Sequence, residues 1–262
     1  MPGYFGNGTV NVELGHHVFG THSGLRRGVT LTPHDAPAVL MESGGGVLEM
    51  TVTGQRLRAN LGDAERYIYE MLAALATTDP GDLAFQDGRS FSSVYEDSVC
   101  VGGEGGVEGY AFAHVETDWL CPETSAAGEG AWAGAPAAPA TYAGTSTLQD
   151  YQAGGIALGD GGSMRIELQR SGALREIPRA RGSRATVPHS GAHVRFVITC
   201  TRIAPSSHLA EDLRDVLRSI GPGPVDLTGN GNTFPDVLLD RVRPTHTDMR
   251  YTEVEWTFLK EL

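Results

Sequence analysis

The sequence is poor in lysine, cysteine and long apolar runs, and each shortage excludes a class of protein. Lys260 is the only lysine, and the net charge is -12. Because phosphate binding needs clustered basic side chains, this balance argues against a surface that grips nucleic acid. No apolar run approaches the roughly 20 residues that span a bilayer, and the N-terminus lacks the pattern of an export signal. We therefore expect a soluble protein without membrane contact.

Residues that could bind a metal are few and poorly spaced. The three cysteines, at positions 100, 121 and 200, are too few and too irregularly spaced for a disulfide framework or a zinc site. His16, His17, His22 and His34 have no carboxylate or thiol at ligand spacing. The run 226–232 resembles a calcium loop but lacks its closing Glu, so we interpret it as a turn in which Gly and Asn adopt positive φ. The sequence predicts no metal site.

Catalytic motifs are lacking as well. The sequence contains no Gly-x-Ser-x-Gly nucleophile elbow, and no cysteine lies in an electropositive setting. The glycine-rich run 102–106 precedes no predicted helix that could bind phosphate, so we interpret it as a hairpin tip. We expect no enzyme activity and no cofactor.

Glycine and proline, in contrast, are abundant. The 262 residues include 35 glycines and 14 prolines, which limit helix length, while 40% hydrophobic residues are enough for a packed core. The chain exceeds the commonest domain size of roughly 100 to 150 residues, which favours two domains.

One unit of sequence occurs twice. An alternating strand at 47–53 is followed by a short turn and a helix, and so is the strand at 194–200. Asp63 is predicted to cap the first helix, while the second begins near Ser207 and stops at Gly221. Each helix has one apolar stripe, formed by Ile68, Met71, Leu72 and Leu75 in the first and by Leu209, Leu213, Val216, Leu217 and Ile220 in the second.

Other segments match in the same order along the chain. They are 10–14 with 164–168, 83–85 with 225–227, 91–99 with 234–242, and 112–120 with 251–259. These matches make Asp97 equivalent to Asp240, and Glu116 equivalent to Glu255. Because equivalence puts the two aspartates in separate domains, they are not interpreted as a catalytic pair of acids.

The duplication predicts tandem domains at 1–121 and 151–262. Residues 122–150 between them are rich in Ala, Gly and Pro without periodicity, which is typical of a linker or an extended arm. Each unit has the pattern of a hairpin, a strand, one helix and a closing pair of strands. The predicted fold is mainly β with one helix per unit (α+β), arranged as two small β-sandwiches or barrels.

The segment 54–120, and equally 201–259, resembles the tube domain of major tail tube, distal tail and baseplate hub proteins of tailed viruses. The resemblance is one of pattern and rests on no invariant motif. It implies a homo-oligomeric ring of six domains, whose inner strands form a barrel that conducts genomic DNA without binding it specifically. Two domains per chain imply a trimeric, pseudo-sixfold ring. Such rings stack into a tube in the virion tail, contact other tail proteins, and are assembled in the host cytoplasm.

On this resemblance, four acids are candidates for the lumen or for interfaces beside it: Glu116, Glu255, Asp97 and Asp240. The basic excursion 170–191 supplies the candidate residues for ring stacking, namely Arg175, Arg179, Arg181 and Arg184. A basic loop on an acidic protein favours head-to-tail contact between rings, with a solvated loop as the alternative. The excursion 21–46 of the first unit is also predicted to contact the next ring.

Two other functions fit the same pattern. A distal tail or baseplate hub protein needs a further partner-binding domain, for which only the linker is available. A two-domain carbohydrate-binding adhesin would display exposed aromatic side chains. Because Trp119 and Trp256 lie in alternating strands where burial is expected, only Trp132 remains for that role.

Overall fold

The fold comes from a computed structural model that describes residues 3–6, 11–15, 19–31, 39–76, 81–85, 89–105, 111–122, 127–129, 150–170, 175–178, 184–187, 192–203, 208–247 and 251–262. Within these residues the chain is mainly β, with two α-helices. The first half contains β1 (Gly3–Gly6), β2 (Asn11–Gly15), β3 (Phe19–Leu31), β4 (Val39–Arg58), α1 (Leu61–Leu75), β5 (Gly81–Phe85), β6 (Arg89–Gly105), β7 (Ala111–Pro122) and β8 (Ala127–Glu129). The second half contains β9 (Gln152–Ala153), β10 (Ile156–Ala157), β11 (Asp160–Arg170), β12 (Arg175–Pro178), β13 (Arg184–Val187), β14 (Ala192–Arg202), α2 (Leu209–Ile220), β15 (Val225–Gly229), β16 (Asn232–Thr247) and β17 (Thr252–Glu261).

The two halves repeat one antiparallel pairing pattern. In the first half β3 pairs with β4, β4 with β7, β7 with β6, and β6 with β5. In the second half β11 pairs with β14, β14 with β17, β17 with β16, and β16 with β15. The helix follows β4 in one half and β14 in the other. The two halves therefore share strand order as well as helix position.

The registers of these ladders also coincide. Val99 lies opposite Thr117 in the first half, and Val242 lies opposite Trp256 in the second. These pairs agree with the sequence matches of 91–99 to 234–242 and of 112–120 to 251–259. Equivalent positions are consequently defined by backbone pairing, independently of residue type.

Asp97 and Asp240 occupy β-bulges at the same point of the two halves. Asp97 is the extra residue between Glu96, opposite Trp119, and Ser98, opposite Asp118. Asp240 is the extra residue between Leu239 and Arg241, which face Phe258 and Thr257. Here each long strand has passed from one hairpin partner to the next, and the added twist of a bulge suits that change of partner.

The upstream sequence match was wrong. Strand β2 pairs with β1, which pairs with β5, and the counterpart of β2 in the second half is β10. Residues 164–168 lie in β11, whose counterpart is β3. A period of two is common to neighbouring strands, so alternation alone did not identify which strand was which. The 47–53 match also shifts by one residue, since Val52 and Ile198 occupy equivalent positions. The match of 83–85 with 225–227 shifts by two residues, since Leu83 is equivalent to Leu227.

Both helices begin close to the predicted positions. The N-cap of α1 is Asn60, whose side chain accepts a 2.8 Å hydrogen bond from the Asp63 backbone N–H, so Asp63 lies in the first turn and is not the cap. Helix α2 has His208 at its N-cap, and it ends at Gly221, whose φ of 75° suits a glycine terminus. The stripe of α2 needs one correction: Leu217 is 40% exposed, whereas Leu72 of α1 is fully buried.

One hydrophobic core extends through both halves. It contains the α1 stripe together with the inward faces of the central strands from both halves. Trp119 and Trp256 are both fully buried, as predicted from their alternating strands. Two excursions contain strands as well: 21–31 and 39–46 belong to the β3·β4 hairpin, and 175–178 pairs with 184–187. Within the predicted linker, Ala127–Glu129 pairs with β6.

Candidate assembly interface

The two halves join edge to edge through strands β6 and β11. Four residues of β11, from Arg165 to Leu168, pair antiparallel with the four from Gly102 to Val99 of β6. This ladder merges the strands of both halves into one 15-stranded sheet. Because an open strand edge exposes unpaired N–H and C=O groups, the ladder satisfies groups that each half alone would leave open.

Helix α1 covers this junction and packs on both halves. The Tyr69 ring lies 6.0 Å from the Phe196 ring and 5.2 Å from the Phe234 ring, measured between centroids. Those two rings, both from the second half, lie 4.9 Å apart and are almost fully buried. An aromatic cluster of this kind adds about 0.5 to 1.5 kcal/mol per pair beyond its buried area. The helix therefore packs on the second half as well as on its own.

A buried polar cluster adds a second link. Glu65 of α1, about 1% exposed, accepts hydrogen bonds from Tyr151 Oη and, at 2.9 Å, from Asn230 Nδ2. Asn232 Nδ2 donates to the Gly62 carbonyl at 2.8 Å and lies 3.4 Å from the other Glu65 oxygen. All three donors come from the second half. Because an unpaired buried carboxylate is costly, the halves fit together only with these donors in place.

Burial gives this cluster unusual proton affinities. It raises the pKa of Glu65 to about 7, although the hydrogen bonds from Tyr151, Asn230 and Asn232 oppose the shift. Burial, with the nearby Glu65 carboxylate, also raises the pKa of the Tyr151 hydroxyl. Tyr151 therefore remains a hydrogen-bond donor throughout the physiological range. The chemistry that the cluster supports is adhesion between the halves.

A tight turn places the cluster. Asn230 and Gly231 have φ values of 49° and 81° between β15 and β16, as expected for a two-residue Asn-Gly hairpin and as predicted for this run. Gly229 is needed beside it, because a Cβ at this position would overlap Cδ1 of the Tyr151 ring. The glycine thus makes room for the ring whose hydroxyl binds Glu65.

The sheet face opposite the helices carries polar and charged side chains. Glu116 is exposed there, and Glu255 pairs with Arg243, with 2.9 Å between Arg243 Nε and Glu255 Oε1. Glu167 lies on the same face between Arg165 and Arg195, at 2.7 and 3.2 Å. This face spans both halves across the junction, and two of its acids, Glu167 and Glu255, are neutralised by neighbouring arginines.

The other predicted site residues are placed only in part. Asp240 is exposed at its bulge, and at Asp97 only the backbone is described. The predicted stacking residues Arg175 and Arg184 have described backbones in β12 and β13, while Arg179 and Arg181 lie outside the described residues.

Sequence reasoning missed the Glu65 cluster. The Asn-Gly run was recognised as a turn, but nothing in it indicates a partner 165 residues away. Comparison of the two repeats does not indicate the cluster either, because Ala210 occupies the position in α2 that corresponds to Glu65. An acid on the apolar side of a helix, absent from the other copy, is the signal that could have revealed it.

Neither a scan of protein-family models nor a search of curated proteins found a match to this chain. Within the described ranges, His, Cys, Asp and Glu side chains form no group of three suited to a metal ion. No helix in the described part of the chain is long and apolar enough to cross a membrane.

Proposed function

We propose that this chain is a structural subunit of the tail tube of a tailed virus. Two tandem tube-like domains in each chain form one third of a six-domain ring, and stacked rings conduct genomic DNA during ejection. The protein performs no catalysis in this role. Its partners are further copies of itself and other tail proteins.

One observation carries the proposal: two copies of one unit associate side by side through strand pairing. The β6·β11 ladder extends a single sheet from one copy into the next. Each unit contributes a different edge to this contact, so each still has a second edge that can pair with a further unit and extend the sheet. A closed barrel is the arrangement in which no edge is left over.

The polar sheet face supports a role as a conduit wall. A lumen that lets a polyanion slide must avoid clustered unpaired cations. Arg243 and Arg195 on this face are each within 3.2 Å of a glutamate oxygen, and Glu116 is exposed. The burial of Trp119 and Trp256 meanwhile removes two of the three tryptophans that an adhesin would use.

Electron microscopy of the purified protein tests the proposal directly. We expect rings with a central opening and apparent sixfold symmetry, together with stacked tubes at high concentration. Sedimentation measurements should give three chains per ring. A protein that stays monomeric at every concentration and salt tested would contradict the proposal.

Stacking is expected to depend on the basic excursion. Replacing Arg179, Arg181 and Arg184 together with Glu should shorten or abolish tubes while single rings still form, since charges of opposite sign would no longer meet between rings. High salt should mask part of the difference by screening exposed pairs. Equally long tubes from the triple variant would remove the excursion from the stacking interface.

A further inference from the structure

Helix α2 leaves exposed the surface that its counterpart α1 buries. The stripes align when Ala64, Ile68, Met71 and Leu75 are matched with Leu209, Leu213, Val216 and Ile220, which have the same spacing. No residue of α1 is exposed, whereas seven of the twelve residues of α2 are. The difference is greatest on the side where α1 meets the second half.

Three equivalent pairs show the change. Leu72 is fully buried, and its equivalent Leu217 is 40% exposed. Tyr69 packs on two aromatic rings of the other half, while the side chain of its equivalent Arg214 is 56% exposed. The third pair is Glu65 and Ala210, of which Ala210 is exposed. These three residues of α2 define what we name the α2 face.

The strand segment equivalent to the β6 side of the junction lies in β16. Residues 99–102 of β6 pair with β11, and their equivalents in the second half are 242–246 of β16, in which Thr245 is the extra residue of a bulge. Among the described residues, β16 pairs only with β15 and β17, so no described strand pairs with this edge. At the other end of the chain, residues 21–25 of β3 are equivalent to 165–168 of β11, and β3 pairs only with β4 among the described residues.

We infer that the α2 face and the β16 edge together dock the first half of a second copy of this chain. This inference rests on the proposed function and specifies its partner and register. In this docking β3 of the second copy pairs with β16 in the way that β11 pairs with β6. Gly24 then lies opposite Arg243, just as Glu167 lies opposite Cys100 within the chain. The occupant is a second copy of the chain because the chain already contains one junction of this kind. The elements for a further junction, β3 on one side and β16 with the α2 face on the other, lie in its first and second halves.

The junction between copies differs in one detail from the junction within the chain. Pro244, equivalent to Val101, has no backbone N–H, so the β3·β16 ladder has one potential donor fewer. The docking therefore relies more on the α2 face, where Leu217 contributes apolar area. Contact between copies is weaker and more easily reversed than contact within a chain.

Charge substitution on the α2 face tests the inference. Leu217→Asp should weaken association of copies at least about 100-fold, because a charge would be desolvated at the centre of a contact. Ser219→Asp, with the same added charge on an exposed position of the same helix but away from the face, should associate like the wild type. Ala210→Arg provides a second disruption at an exposed residue. Sedimentation velocity measures association, and the thermal midpoint of each variant under monomeric conditions should stay within a few degrees of wild type.

Cysteine crosslinking tests the register. A Gly24→Cys, Arg243→Cys double variant should form covalent species ending at three chains under mild oxidation, while each single variant should not. If the wild type forms rings, Leu217→Asp and Ala210→Arg form them equally well, and the double variant gives no crosslink, this inference is wrong and the proposed function still stands. A wild-type protein that never assembles would contradict the proposed function itself.

Discussion

The two helices occupy equivalent places but perform different tasks in the chain. Helix α1 is buried between halves, and its Glu65 is bound by three donors from the second half. Helix α2 faces solvent at the same positions and has Ala210 in place of the acid. Duplication thus preserved the scaffold while the chemistry of its surfaces diverged. The internal contact combines the aromatic rings around Tyr69 with the polar cluster at Glu65, whereas the equivalent positions of α2 carry Arg214 and Ala210.

The largest expected effect comes from truncating the equivalent leucines. Leu72→Ala should lower the free energy of unfolding by about 2 to 5 kcal/mol, because it leaves a cavity in the core. Leu217→Ala should cost under about 1 kcal/mol in the monomer, because the side chain is already partly hydrated. Denaturant titration of both variants measures the comparison. Equal losses would show that the two helices are packed alike.

Gly229→Ala is expected to cost about 1 to 3 kcal/mol, because the new methyl group overlaps the buried Tyr151 ring. The first half has Phe85 at the equivalent position, so this constraint belongs to the second half alone. In a Tyr151→Ala background the same substitution should cost less than half as much, since the ring is gone. An unchanged cost in that background would place the strain elsewhere.

Glu65 is expected to make stability depend on pH. Its pKa is raised from 4.5 to about 7 on folding, so the protonated form is favoured in the native state. Its contribution is fully present below pH 4.5 and is lost as pH rises towards 7. Relative to Glu65→Gln, the wild type should therefore lose about 3 kcal/mol across this window, because each unit of pKa difference is worth about 1.4 kcal/mol. Glu116→Gln, at an exposed position, is the matched control and should show no such trend.

The smallest expected effect concerns the acids of the polar face. Glu255→Gln should destabilise the protein by less than about 1 kcal/mol, because its Arg243 partner is largely exposed. Glu116→Gln, at the equivalent position, should change stability even less. Thermal unfolding of both variants at low and high salt measures the difference. A loss of several kcal/mol for either would mean that this face is packed against another surface.

Much of the fold could be predicted from the sequence because alternation and spacing encode it. The repeated strands, both helices and the Asn230-Gly231 turn follow local rules that depend on neighbouring residues. The match of Asp97 to Asp240 was correct although its physical basis, a shared bulge, became clear only from the ladders. The upstream match failed because short apolar strands carry too little information to be told apart.

The junction could not be predicted for a different reason. Glu65 and Asn230 are 165 positions apart, and their contact depends on how two complete halves are oriented. The exposure of Leu217 has the same origin, because an apolar stripe looks identical in sequence whether it is covered by the same chain or by another one. Such features depend on tertiary and quaternary arrangement, and periodicity does not report either.

The strand junction has a geometric consequence. It joins two unlike edges, so repeating it applies the same rotation at every step, and the result either closes or grows as an open helix. Closure after six units requires a rotation of about 60° per step. The bulges at Asp97 and Asp240 lie in the strands that form these edges and increase their local twist. Deleting either residue should therefore alter the angle between neighbouring units, and with it the diameter of the ring that we propose.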